Sequence, residues 1–385
     1  MNHNWTYKKL GEVGTVIGGS TPKTDNPEFW DGDYSWITPA ELDGSKYVSS
    51  TVRTITEKAV AKTNLTLLPI GTVLLSSRAP IGKVCITKIP MYCNQGFKNI
   101  VCSDELNNEY LYWWLKGKNE YLNSLGVGAT FKEISKRIVE QIPIPLPPLE
   151  TQSRIVAELD LLQSIIDKQQ AQLKELDTLA QSIFYDMFGD PVENEKGWEK
   201  AELNKVCDVR DGTHDSPSYQ EEGYPLVTSK NVIDGEISFD NVHFISKEDF
   251  DNISKRSRVD NGDIIMPMIG TIGKPTIVKK DREFAIKNVA LIKFLPDSRV
   301  INVFIQAVIA SSAFDTYMRS NNKGGTQKFI ALGDIRKLKI IVPPLSLQQS
   351  FAAKIESIEK QKALVNQSIT ETQRLFDYTM DKYFG

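Results

Sequence analysis

The chain has 385 residues, 41% of them apolar and 25% charged, with a formal net charge of −3. That length suits two or three domains, and the composition is ordinary for a globular chain rather than a disordered or fibrous one. No run approaches the roughly 18 apolar residues of a membrane helix, and MNHNWTYKKLGEV lacks the apolar core of a secretory signal, so a cytoplasmic location is expected.

Residues 1–146 read as a mixed α/β domain. The β-branched runs TVLLS (72–76), KVCIT (83–87) and KNIVC (98–102) have strand character, and 107–125 reads as one helix. Cys85, Cys93 and Cys102 fall here and Cys207 later. None has the C-x-x-C spacing of a zinc site, and no disulfide framework is expected. Pro147–Pro148 then opens a spacer over 147–190. Ile155, Leu159, Leu162, Ile166, Gln169, Leu173, Leu176, Ala180, Ile183 and Met187 alternate steps of four and three, the a/d spacing of a coiled-coil seam. Gly189–Asp190–Pro191 stops that helix. The negative charge is concentrated there, with 3 basic against 8 acidic residues over 150–190.

A second domain follows over 191–342, with strands expected at DIIMP (263–267), PTIVK (275–279) and VALIKF (289–294) and a helix over 301–318. Pro343–Pro344 opens a second spacer over 343–385. Phe351, Ile355, Ile358, Lys362, Val365, Ile369, Thr372, Phe376, Thr379 and Tyr383 repeat the seam. Ser346 and Gln349 fit a capping box at its start.

The chain is thus an internal repeat. PLPPLETQSRI (145–155) matches IVPPLSLQQSF (341–351) at an offset of 196, which also carries Gln152 onto Gln348 and Gly189 onto Gly385. Upstream, Trp5 maps to Trp198, YSWITPAEL (34–42) to YPLVTSKNV (224–232), and IGTVLLSSRAPIGKV (70–84) to NGDIIMPMIGTIGKP (261–275). Two seams in one register suit an antiparallel pair within the chain, with dimerisation of two chains as the alternative. Gln169 and Lys362 interrupt the two seams at different places.

Catalytic patterns are not evident. Gly82–Lys83 and Gly273–Lys274 are followed by Val84 and Pro275, not by the Ser or Thr of a phosphate-binding loop. The Pro-Pro pairs lack the Asn or Asp and the aromatic of an adenine methyltransferase. His3, His214 and His243 have no evident metal or triad partners; His214 and His243 align with Thr21 and Arg53 of the other copy.

At this point the chain resembles the specificity subunits of type I restriction–modification systems. The resemblance rests on QIPIPLPPLETQ (141–152) and KIIVPPLSLQQ (339–349), each followed by a long helix, and on SSRAPIGKV (76–84) with NQGFKNI (94–100). The second copy departs from the last segment with IKNVALI (286–292). The resemblance implies two unlike α/β target-recognition domains joined by an antiparallel helical pair, together reading an asymmetric bipartite target in double-stranded DNA. It implies a non-catalytic subunit that docks two modification subunits, bringing S-adenosylmethionine, and restriction subunits, bringing ATP and magnesium. No cofactor is expected in this chain, and no metal. A self-contained nuclease or methyltransferase, or a protein-binding coiled-coil adaptor, are the competing readings.

Base and phosphate contacts need Arg, Lys, Asn, Gln, Ser or Thr. The candidates in the first domain are Thr21, Lys23, Arg78, Lys83, Gln95, Lys98, Lys132 and Lys136. In the second they are His214, Lys230, Asn231, Lys274, Lys287, Asn288, Gln327 and Lys328. Leu161, Leu179 and Phe184 are candidates for docking the modification subunits.

Overall fold

In the computed structural model, residues 5–128, 132–233, 235–268, 275–321 and 330–385 are described. The chain divides into two units. The first comprises residues 1–169 with 368–385, and the second residues 170–367.

In the first unit a five-stranded sheet runs in the order Gly14–Gly18, Lys98–Cys102, Val73–Leu75, Val84–Thr87, Tyr47–Val48. A three-stranded sheet runs Arg53–Ile55, Trp30–Ile37, Tyr92–Cys93. Thr6–Lys9 pairs antiparallel with Pro143–Leu146, so the domain's two ends meet. The second unit repeats the plan. Its four-stranded sheet runs Asp208–Asp211, Val289–Lys293, Ile264–Pro267, Thr276–Ile277. Its three-stranded sheet runs His243–Ile245, Tyr224–Val227, Ala285–Ile286, and Lys200–Glu202 pairs with Lys339–Ile341. In both units the middle strand of the three-stranded sheet is antiparallel to one neighbour and parallel to the other.

Both expected domain helices are broken. Residues 107–125 form Asn108–Gly117 and Asn119–Ser124, interrupted at Lys118 just after the weak helix former Gly117. The segment 301–318 is divided between the helices Asn302–Ala310 and Ser312–Asn321, interrupted at Ser311. Ser311 is extended at the break; its hydroxyl donates to Val308 O and accepts from Phe314 N, a local alternative to the helical bonds.

The two spacer helices, Leu149–Phe188 and Leu345–Phe384, are 40 residues each. Within the first unit Gln169 Nε2 donates to Ser368 Oγ at 2.7 Å and Tyr383 OH to Glu158 at 2.7 Å. Within the second, Lys362 pairs with Asp177 at 2.9 Å and the Phe184 ring meets that of Phe351 at 5.8 Å. One residue number rises as its partner's falls, so the helices pack antiparallel. The two polar interruptions both bond across the seam, which is how such residues fix register. Ile155, Leu159, Leu162, Ile166, Leu176, Phe351, Ile358, Val365 and Phe376 are buried. Leu173, Ile183, Ile355 and Ile369 are half-buried. Trp113, on Asn108–Gly117, anchors the first unit's core: its ring meets Phe376 and its Nε1 donates to Asp160 at 2.8 Å.

The helix starts differ from the expected capping box. Pro344 O accepts from both Leu347 N and Gln348 N, so Ser346 lies inside the first turn rather than at the cap. Gln152 and Gln348 are instead the residues that tie these starts down. Gln152, fully buried, accepts from Asn107 N and donates to Glu105 O and Pro147 O. Gln348, also fully buried, accepts from Ile301 N and donates to Arg299 O and Pro343 O. Each amide fastens the Pro-Pro turn to the start of the domain helix. The first spacer helix ends as expected, with Gly189 at φ 74° and its N–H bonded to Tyr185 O.

Candidate nucleic-acid interface

Two loops meet at the same place in each unit. In the first, Ser20 N donates to Cys93 O and Asn94 N to Ile37 O. In the second, Thr213 N donates to Ile286 O and Lys287 N to Val227 O. The approach requires glycine. A Cβ on Gly19 would lie 1.9 Å from Asn94 O, and one on Gly212 2.3 Å from Ile286 O. The residues just beyond are therefore held side by side. The Thr21 hydroxyl donates to the Gln95 carbonyl in the first unit. In the second, the ring nitrogens of His214 lie 2.9 Å from Asn288 Oδ1 and 2.9 Å from Asp211 Oδ2. All four of Thr21, Gln95, His214 and Asn288 were candidates in the sequence. The tertiary structure makes them two equivalent pairs, one neutral and one titratable.

The supports differ. Behind the first pair, Trp36 Nε1 donates to Ser20 O and Trp30 Nε1 to Lys23 O, each at 3.1 Å. Behind the second, Asp211 is buried, with its other oxygen paired to Arg256. Hydrogen bonds with Asn288 and Asp211 raise the His214 pKa above the ordinary histidine value, against burial and the Arg256 charge. Asp211 pairs with Ala290 as Gly18 pairs with Lys98, so the first unit has no carboxylate at this point.

The remaining candidates separate by what their side chains do. Lys23, Gln95, Lys132, Lys136 and Lys230 are exposed. Lys136 lies 3.7 Å from Glu140. Arg78 is half-exposed and bonds Glu133 at 3.0 Å. Lys287 bonds Ser216 Oγ at 2.7 Å, and Asn288 sits at φ 55°, which asparagine tolerates. Three polar ends are committed to the framework. Lys83 bonds the Pro39 and Leu42 carbonyls, and Lys98, with a side chain 11% exposed, bonds Ser77 and Glu133. Asn231 is buried and accepts from Thr228 N and Oγ1. Lys274, Gln327 and Lys328 lie outside the described residues.

Sequence reasoning missed a second equivalent position. Arg53 is stacked over the Trp30 ring at 3.5 Å, and His243, which pairs with Leu226 as Arg53 pairs with Trp36, is stacked on Tyr219 at 4.1 Å. The alignment of Arg53 with His243 was visible, but no sequence spacing announced the aromatic partners. His214 and His243, for which the sequence offers no metal or triad partner, have hydrogen-bond and ring partners in the fold. Phe184 is a correction of another kind. It is 2% exposed in the second unit's core, among Phe188, Phe304 and Phe351, because the domain helix Asn302–Ala310 covers that side of the spacer helix. Leu161 and Leu179 are exposed, as is Leu375, the repeat equivalent of Leu179. All four cysteines are free, and burial pushes the Cys85, Cys93 and Cys207 thiols up to about 12. No helix among the described residues is long and apolar enough to cross a membrane.

Fold and site together define a duplicated recognition scaffold: one framework used twice, with different polar side chains at the equivalent exposed positions. The family model for the type I restriction modification DNA specificity domain matches residues 2–178 and again 195–374. The type I restriction enzyme MjaIX specificity subunit of Methanocaldococcus jannaschii is 32% identical, over 92% of this chain and 87% of the relative. The EcoKI specificity subunit of Escherichia coli is 21% identical, over 100% of this chain and 89% of the relative. Among solved structures, the type I restriction–modification S subunit from M. genitalium covers the whole chain and 97% of its own, with TM-score 0.58 and 15% identity. A chain from a study of assembly and conformational transition of the type I system has TM-score 0.63 and 18% identity, over 99% of this chain and 97% of its own. The chain belongs to the family of type I restriction enzyme specificity subunits, which serve DNA sequence recognition.

Proposed function

We propose that this subunit reads an asymmetric, two-part target in double-stranded DNA, one half-site per recognition domain, and is itself non-catalytic. The carrying observation is the pair of equivalent contacts, Thr21 with Gln95 and His214 with Asn288, set by the same backbone bonds yet different in chemistry. A shared framework with unlike polar tips gives two readers of one geometry and two preferences. Asn and Gln amides are suited to base edges, and Lys and Arg to phosphates. Gln95, Lys23, Arg53, Arg78, Lys132 and Lys136 are assigned to one half-site, and His214, Asn288, Lys230 and Lys287 to the other. Lys83, Lys98 and Asn231 support them.

The proposed division is 1–146 and 191–342 for recognition and 147–190 and 343–385 for spacing. A 40-residue helix is about 60 Å long. That exceeds the roughly 34–36 Å between half-sites read from one face of B-DNA, so the spacer can span an unread stretch of roughly 6–7 base pairs. Two modification subunits would dock on the exposed apolar positions of the spacers, Leu161, Leu179 and Leu375, and bring S-adenosylmethionine; restriction subunits would bring ATP and magnesium. The complex, rather than this chain, would then be the adenine methyltransferase and endonuclease.

Methylome sequencing of cells expressing this chain with its modification subunits tests the reading. A bipartite methylated motif is expected. Gln95→Ala should relax one half of it and Asn288→Ala the other. A single uninterrupted motif, or one unaffected by both substitutions, would refute the assignment.

A further inference from the structure

The His214 cluster carries a consequence for which base the second domain prefers. Both ring nitrogens face oxygen: Nε2 faces Asp211 Oδ2 and Nδ1 faces Asn288 Oδ1. Asp211, buried and paired to Arg256 through its other oxygen, can accept but not donate while ionised, so it holds a proton on Nε2. The state of Nδ1 is then tied to the way the Asn288 amide points. With the imidazolium, Nδ1–H donates to Oδ1 and the Asn288 NH2 is turned outward. With neutral imidazole, Nδ1 presents a lone pair. The amide must then rotate so that its NH2 donates to Nδ1, which turns the carbonyl outward.

We propose that His214 is a positioning residue that sets the Asn288 amide, so that the second domain offers a base edge a donor when His214 is protonated and an acceptor when it is neutral. The donor form suits guanine O6 and thymine O4; the acceptor form suits the exocyclic amine of adenine or cytosine. The first domain is built without this choice. Its Thr21 hydroxyl donates to the Gln95 carbonyl, a bond with no titratable member, and Gly18 stands where the second domain has Asp211.

The charged groups around His214 come from three elements. Asp211 ends the strand Asp208–Asp211 just before His214, Arg256 lies on the helix Lys247–Ser257, and Lys287 lies beside Asn288, its ammonium spent on Ser216. Asn288 and Asp211 favour the imidazolium and Arg256 opposes it; the balance raises the pKa above the ordinary histidine value. The side chain is 60% exposed, so it exchanges protons with solvent, and its replacement should leave the core intact.

The inference rests on the proposal that these loops face DNA, and the experiment separates the two. The chain assembled with its modification subunits is titrated, at about pH 6 and about pH 8.5, against duplexes carrying every single-base change across the methylated target. At one base pair of the second half-site, preference should move about tenfold from adenine or cytosine toward guanine or thymine as pH falls, with the first half-site constant. His214→Thr, which imports the first domain's residue, and His214→Gln should abolish the shift. Asn288→Ala should erase the preference at that base pair at both pH values. A shift that survives His214→Thr, or no shift in the wild type where Asn288→Ala still broadens that base pair, overturns the positioning role alone. An Asn288→Ala profile identical to wild type at every position overturns the base-reading assignment beneath it.

Discussion

Replacing Gln152 or Gln348 with alanine gives the most direct test of how the repeat is held together. Each side chain is fully buried and makes three hydrogen bonds to backbone groups at the junction of Pro-Pro turn, domain helix and spacer helix. A net hydrogen bond contributes about 1 kcal/mol, and a stranded buried partner costs more than that mean. Truncation should therefore cost about 3–4 kcal/mol in either copy, a large part of the roughly 5–15 kcal/mol that stabilises a domain. Gln→Leu at the same positions restores most of the volume but none of the bonds, so it should be nearly as damaging. Urea unfolding followed by tryptophan fluorescence and circular dichroism reads both. A loss below about 1 kcal/mol, or full recovery in the leucine variants, would show that packing rather than bonding fixes the junction.

Three further outcomes are expected. Lys362→Met removes the cross-helix pair with Asp177; the partners are partly exposed, so the loss should be about 0.5–1 kcal/mol and should shrink in about 1 M salt, an unchanged gap refuting the ionic account. Burial raises the Glu133 carboxyl, but hydrogen bonds and charge from Lys98 and Arg78 outweigh it and hold the group below the ordinary carboxylate value. That stabilisation is present at neutral pH and lost as pH falls through the lowered value, so Glu133→Gln should flatten the acid limb by about 0.5 kcal/mol after screening; superimposable acid-unfolding curves would contradict it. Arg78→Ala should weaken binding of the assembled complex to one half-site about tenfold, whereas equal loss on specific and random duplex would reduce Arg78 to a general phosphate contact.

Much of this protein was determined by the sequence alone. Seam residues such as Ile155, Leu159, Phe351 and Phe376 recur every three to four positions because a helix brings those positions to one face, and periodicity is a local property. The duplication was equally legible, since Gln152 and Gln348 follow identical Pro-Pro turns, and so were the strand runs around Leu74 and Ile265. Sheet order was not, because Gly14–Gly18 pairs with Lys98–Cys102 across some eighty residues and nothing in either segment encodes its partner. The reading positions were half legible. Residue type nominated Thr21, Gln95, His214 and Asn288, but also Lys83, Lys98 and Asn231, whose polar ends the fold turns inward. Only the tertiary structure could separate the groups. Whether a side chain faces solvent or a buried carbonyl depends on which distant backbone lies beside it, and here that is decided by two glycines, Gly19 and Gly212, that let one loop close against another.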